Sequence, residues 1–188
     1  MTTKYYPWPG DFTPCHPTGS VAAVLLSTDY IPSQTVAIYG HVKTENIGLE
    51  KIMANVISNP HIRYLVLIGK DIRGHLPGSS LKALHQHGID HTNKINTAPG
   101  AIPYIENLSE DAVKRFQNQV VIIDLMNIAD KNRLDNKINE LINTSPSCYG
   151  DPFIALRLTV IYSKPRDDKR ALHSKIIIDW RGKIKKRR

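Results

Sequence analysis

Four short apolar runs, at residues 21–27, 36–39, 64–68 and 120–125, alternate with helical patterns along the first two thirds of the chain. The runs are continuous rather than alternating, as expected for strands covered on both faces, where neither side of the strand meets water. Strand and helix in alternation predict an α/β fold: a Rossmann-like three-layer domain built on a mostly parallel sheet. A weaker strand candidate lies at residues 94–97.

Helix signals fall between the runs. Thr44 can cap a first helix whose apolar face is Ile47, Leu49, Ile52, Met53, Val56 and Ile57, stopped at Asn59-Pro60. A short helix follows over residues 80–87, with Ser79 or Ser80 as cap and Gly88 closing it. Ser109 opens a third through Gln117, with Glu110 and Asp111 in the first turn where they oppose the helix dipole. Leu134, Ile138, Leu141 and Ile142 make a fourth, over residues 131–143, amphipathic. Residues 143–152 are rich in Pro, Gly, Ser and Thr and read as a connector. Beyond it, apolar and polar residues alternate over 154–162, and residues 175–180 form a second strand candidate. We therefore expect a domain over residues 1–146 and a C-terminal β-hairpin extension with a basic tail over 147–188, packed on the same domain.

Charge is unevenly placed. The formal net charge of +8 resides entirely in residues 164–188, which hold eleven basic and three acidic side chains; the rest of the chain is neutral. Such a tail suits nucleic acid, anionic lipid or an acidic partner. It interleaves no aromatic residue besides Trp180, so base stacking is not supported and a solvated terminus is the simpler reading. No apolar run approaches the roughly 20 residues that span a bilayer, and no positive-apolar-small segment opens the chain, which predicts a soluble cytoplasmic protein. Cys15 and Cys148 form neither a disulfide framework nor a C-x-x-C pair.

In open α/β sheets, ligands gather on the loops that follow strands. The loop after Ile68 carries Gly69, Gly74, His75, Gly78, Ser79 and Ser80, and a second glycine-bearing loop spans residues 97–103. Neither matches G-x-G-x-x-G or G-x-x-x-x-G-K-[ST], which excludes the conventional nucleotide signatures. His85, His87 and His91 crowd the end of the short helix. They can satisfy the last helical carbonyls, or, with Asp90, bind zinc at a spacing that matches no established zinc site. Alternatively, one of them is the axial ligand of a large cofactor. His85-Gln86-His87-Gly88 contains the H-x-x-G part of the D-x-H-x-x-G signature of many corrinoid domains, although Ala83 stands where that signature has its aspartate.

Longer strings are more specific. Lys43-Thr44-Glu45-Asn46-Ile47-Gly48-Leu49-Glu50-Lys51, residues 54–63, Gly74-His75, Gly78, Lys82-Ala83-Leu84-His85 with Gly88, Gly100-Ala101-Ile102-Pro103 and Glu106-Asn107 closely resemble the A subunit of tetrahydromethanopterin S-methyltransferase. So do Trp8-Pro9 and Gly10-Asp11-Phe12. The resemblance runs from about residue 7 to 130. It implies a corrinoid carrier of methanogenic archaea that holds cobalamin or a related cobamide. Such a carrier passes a methyl group from methyl-tetrahydromethanopterin through cobalt to coenzyme M, with partner methyltransferase proteins. The resemblance places the cobalt ligand at His85. Gly74, His75, Gly78, Ser80, Leu84, Gly88, Gly100, Ala101, Ile102 and Pro103 would then contact the cofactor, with no catalytic residue of the chain's own. His75 is a second candidate, contacting the cofactor or closing the loop.

Departures set this chain apart from that pattern. Pro77, Ser79 and Pro99 stand where the family has other residues, and the C-terminal membrane anchor is replaced by the expected hairpin and basic tail. The competing expectation is a cofactor-free binding or regulatory module that docks a partner through residues 183–188. A metal-dependent enzyme at the histidine cluster is the third.

Overall fold

The side chains of two central strands point alternately into two separate cores, which makes the domain three layers thick. The structure is a computed structural model that describes residues 5–144, 146–156, 176–178 and 184–186. Its first strands are β1 (Phe12–Pro14), β2 (Val21–Leu25) and β3 (Ile38–His41). After them come helix α1 (Ile47–Ser58), β4 (Tyr64–Gly69), α2 (Pro77–His87), α3 (Glu110–Gln119), β5 (Val121–Met126) and α4 (Lys131–Asn143). The sheet order is β1-β3-β2-β4-β5, parallel throughout except where β1 runs antiparallel to β3. This is the expected α/β architecture with a mostly parallel sheet.

Ala22, Val24, Leu65 and Leu67 face one core with α1, α2 and α3; Val21, Ala23, Leu25, Val66 and Ile68 face the other with Leu134, Ile138 and Leu141 of α4. A period of two in the strand meets a period of 3.6 in each covering helix, so the apolar faces close on both sides. The link from β2 to β3 has no helix. Tyr30 within it packs in the α4 core, and its hydroxyl donates to Asp135 Oδ1 at 2.6 Å. Burial and that carboxylate both push the Tyr30 phenol well above its usual range.

Several element boundaries differ from expectation, each for a local reason. Asn46, not Thr44, caps α1, its Oδ1 accepting from the Ile47 N–H at 2.7 Å, while Thr44 Oγ1 accepts from Gly48 at 3.3 Å. Helix α2 begins at Pro77, because proline is preorganised for a first helical position and Asp71 caps from outside the helix. Both Asp71 carboxylate oxygens are used, accepting from Gly78 and Ser79 at 2.9 Å each. Ser109 caps α3 as expected, and Asp130 caps α4. Strand β1 went unread because it is three residues long and ends in proline, which a sheet edge tolerates. Residues 94–97 do not join the sheet; the isolated bridges Ile89↔Ile95 and Lys94↔Tyr104 fold that loop on itself.

The chain separates into two compact units, Met1–Leu158 and Thr159–Arg188. Residues 146–156 dock on the α/β body. Tyr149 N donates to Pro60 O and Phe153 N to Ile57 O, and the Tyr149 ring lies under the guanidinium groups of Arg63 and Arg115. In the second unit β6 (Ile176–Ile178), inside the expected strand at 175–180, pairs antiparallel with β7 (Ile184–Lys186). Of the expected strand at 154–162, residues 154–156 have no strand pairing, and the remainder lies outside the described residues, as does most of the basic tail.

Candidate functional site

Helix α2 separates the sequence-predicted residues into two groups. It starts beyond the carboxyl end of β4 and runs back toward the amino end of the sheet, so His75 precedes its first turn and His85 sits in its last. Eight helical steps, about 12 Å of rise, separate Pro77 from His85. The partner of His85 confirms the separation: its Nε2 lies 2.8 Å from the carbonyl of Val120, just before β5, whose first residue pairs with the first of β4. That imidazole N–H donates to a main-chain carbonyl, and the ring sits edge-on to Phe116 at 5.7 Å. Its own carbonyl accepts from Gln117 Nε2 at 3.0 Å. His85 fastens the end of α2 to the end of α3.

Around the amino end of α2 a different arrangement forms. His75 Nδ1 lies 2.9 Å from Glu45 Oε2; the His75 side chain is 52% exposed and that of Glu45 1%. An ionised carboxylate only accepts, so Nδ1 carries the proton of this bond, and in the neutral imidazole the lone pair falls on Nε2. Glu45 Oε1 accepts from the Ile102 N–H at 2.7 Å, which draws the 97–103 loop onto the same carboxylate. Burial alone would raise the Glu45 carboxyl. The Ile102 N–H, its own backbone and the His75 imidazole outweigh that and hold it below the usual carboxylate range.

Gly74 and Gly100 make the arrangement possible. Gly74 turns the chain at φ +86°, and a Cβ there would meet nothing within 4 Å, leaving open space beside His75. Gly100 lies against the other side: a Cβ would fall 2.5 Å from Glu45 Cγ and 2.6 Å from the His75 carbonyl. Leu76, next to His75, holds a left-handed conformation at φ 46°, and Thr97 does so at φ 60°. Non-glycine residues take that region at a cost, which tertiary structure must offset. Further along the loop, Glu50 accepts from both the backbone and the side-chain amide of Asn107, at 2.7 and 2.6 Å. Two buried carboxylates of the α1 segment thus hold the long loop between α2 and α3.

The other expected contacts divide. Ala101 and Ile102 are exposed beside His75. Pro103 is buried, and its carbonyl accepts from Ile95. Gly78 is a packing residue, since a Cβ would press on Leu26 and Met126 at 2.8 Å. Leu84 lies in the core, and Ser80 is fully buried with its hydroxyl unpartnered, so neither reaches a surface ligand. Gly88 closes α2 at φ +64° beside His85. Among the described residues no three His, Cys, Asp or Glu side chains converge as a metal site. The Asp90 carboxylate instead accepts from Thr92 and from the Lys94 N–H in a turn.

Sequence reasoning missed Glu45 and Asp71. The signal for Glu45 was present: a carboxylate two residues before a helix whose cap is supplied by another residue has a task outside that helix.

Residues 2–161 match the family described as the A subunit of tetrahydromethanopterin S-methyltransferase. The chain is 39% identical over 158 residues to the A 1 subunit of that enzyme from Methanothermobacter thermautotrophicus, covering 80% of this chain and 66% of the relative. It is 38% identical over 158 residues to the A 2 subunit from Methanobrevibacter ruminantium, 80% of this chain and 82% of the relative. A protein of Methanosarcina barkeri, named as the A subunit of a "Putative methyltransferase Mtx", is 41% identical over 152 residues, 79% of this chain and 77% of the relative. The chain thus spans about two thirds of the length of the first of these. Among the described residues, no helix is long and apolar enough to cross a membrane.

Proposed function

The chain belongs to the family of tetrahydromethanopterin S-methyltransferase A subunits, and from that premise we propose that it is a corrinoid-binding methyl carrier in which His75, rather than His85, is the axial cobalt ligand. The observation that carries this reading is the His75–Glu45 pair, in which one imidazole nitrogen is committed to a buried carboxylate while the side chain stays half exposed.

The donor set fits the group. Metal-binding imidazoles are oriented by a hydrogen bond at the second ring nitrogen, most often to a carboxylate or a carbonyl. His75 has a carboxylate there and open space beside it at Gly74, whereas the Nε2 of His85 is already used on Val120. Ala83 need not be an aspartate in this reading, because Glu45 performs that task from another segment. Held at His75, a cobamide would supply the cobalt chemistry by which a methyl group is taken up and released.

The chain's own part is to hold His75 Nε2 toward the ligand and to keep the proton on Nδ1. Gly74 leaves open space next to His75, Gly100 packs against the His75 carbonyl, and Ile102 donates its N–H to the same carboxylate. On this reading the methyl group comes from methyl-tetrahydromethanopterin and leaves to coenzyme M on partner methyltransferase proteins. The relatives are named as subunits, and a carrier of this kind turns nothing over alone.

Titration with hydroxocobalamin, followed by visible absorption, tests it. Wild type and His85→Ala are expected to give the same stoichiometric spectral shift, which His75→Ala loses. Loss in the His85 variant with retention in the His75 variant would return the ligand to His85. Absence of binding by wild type in both the oxidised and reduced cobalt states would end the carrier reading.

A further inference from the structure

The string from Lys43 to Lys51 gives Glu45 to His75, but five of its other members line a cleft. That cleft, about 240 Å³, lies between α1 and the β2–β3 half of the sheet, and Lys43, Thr44, Ile47, Gly48 and Lys51 line it. Its walls are mainly apolar, from Ala22, Val24, Ile38, Val42, Ile52 and Leu65 among others. The volume equals that of about eight liquid waters at ~30 Å³ each. An apolar cavity of that size offers water few partners and favours an apolar occupant.

The polar groups at the cleft are few and mostly committed. Both amide atoms of Asn55 are held by the backbone of Trp8, at 2.9 and 2.8 Å. Thr44 Oγ1 accepts from Gly48. The charged and titratable groups lining the cleft are Asp11, Tyr39, His41, Lys43 and Lys51. Among the described residues neither lysine has a carboxylate within 4.0 Å, Asp11 included. Two ammonium groups without ion-pair partners beside an apolar chamber form the complement of an anion carried on an apolar body.

We propose that this cleft is a binding site for a small organic anion, with its apolar part against the sheet and its carboxylate, sulfonate or phosphate at Lys43 and Lys51. The site is separate from His75 and stands whether or not a corrinoid binds there. Two sources share the chemistry: a free small anion, and an anionic side arm of a larger ligand seated nearby.

Octanoate is the probe, with 1-octanol as its neutral counterpart, followed by amide NMR shifts of the full chain. Octanoate is expected to saturate with shifts at Gly40, Val42 and Gly48 rather than at Gly74 and Gly100. Octanol should bind at least tenfold more weakly. Lys43→Gln combined with Lys51→Gln should erase that difference, while His75→Ala leaves it unchanged. Displacement of octanoate by cobalamin, but not by cobinamide, which lacks the phosphate-bearing nucleotide, would assign the anion to the side arm of a larger ligand. Displacement by neither would assign it to a free molecule. No saturable octanoate binding, equal binding of octanol, or shifts centred on His75 would each overturn the proposal.

Discussion

Gly100 and Glu45 pack so closely that a Cβ at residue 100 would stand 2.5 Å from Glu45 Cγ and 2.9 Å from its Cβ. The contact is between a loop backbone and a side chain that is 1% exposed, so neither side has room to yield. This explains a glycine at a position whose φ does not demand one. Gly100→Ala is expected to push the 97–103 loop away and lengthen the bond from Ile102 N–H to Glu45. Amide hydrogen exchange at Ile102 should accelerate by an order of magnitude or more, with a global cost of about 1–3 kcal/mol as for other overpacked sites. Unchanged exchange at Ile102 would show that the loop is held elsewhere.

His85 and Val120 give a prediction of the opposite kind. If the imidazole fastens α2 to α3, His85→Ala loses one hydrogen bond and an edge contact with Phe116. The expected loss is about 1–2 kcal/mol in urea denaturation. His75→Ala leaves the buried Glu45 carboxylate with the Ile102 N–H but without the imidazole donor, so a loss of about 1.5–3 kcal/mol is expected there as well. A His85 variant as stable as wild type would contradict the fastening role.

The contrast between these two histidines shows where the sequence was legible. The continuous apolar runs and the 3.6-residue patterns specify β2, β4 and the helices, since burial on two faces leaves only one pattern of residues; β5 has such a run too, although it is the edge strand and its Val121 and Asp124 are exposed. The same arithmetic singled out the loops at Gly74 and Gly100. The reading of the sequence favoured His85 with His75 as a second candidate, and it could not see their partners, Glu45 and Val120, which lie 30 and 35 residues away. Local spacing put His85 on an inward face, where its imidazole meets the Val120 carbonyl and the Phe116 ring. Asp71 was hidden for the same reason, since it caps α2 from across a turn rather than from the adjacent position.

Glu45 also sets a pH dependence. Its carboxyl is held below the usual range in the folded chain, while in the unfolded chain it titrates near about 4.3. A depressed folded value contributes stability above the unfolded value, and that contribution is lost as pH falls through the folded one. Wild type should therefore exceed Glu45→Gln in unfolding free energy at pH 7 by about 1.5–3 kcal/mol, the range for hydrogen bonds to a charged group. The gap should narrow below pH about 4. A gap that stays constant down to pH 3 would mean that shape, not charge, holds the loop.

Gln119 provides the last test, on the docked segment at residues 146–156. Its side chain is 1% exposed, and its Nε2 lies within 3.2 Å of the carbonyls of Val56, Asn59 and Ile62, where α1 ends and β4 approaches. Its Oε1 accepts from Arg115 Nε at 2.8 Å, and Arg115 in turn donates to the carbonyls of Tyr149 and Asp151. One amide therefore satisfies buried acceptors on one side and orients a guanidinium on the other. Gln119→Leu keeps the volume but removes the side-chain donor from three carbonyls, of which Val56 O and Asn59 O keep the N–H groups of Asn59 and Ile62, and it also removes the acceptor that orients Arg115. The expected cost is about 2–4 kcal/mol in global unfolding, together with faster amide exchange at Tyr149 and Phe153. Arg115→Ala should reproduce the faster exchange at those two amides with a smaller global loss, because the carbonyls at the end of α1 keep their donor. Equal global losses in the two variants would place the energy in the guanidinium contacts, and Gln119 would then be a spacer.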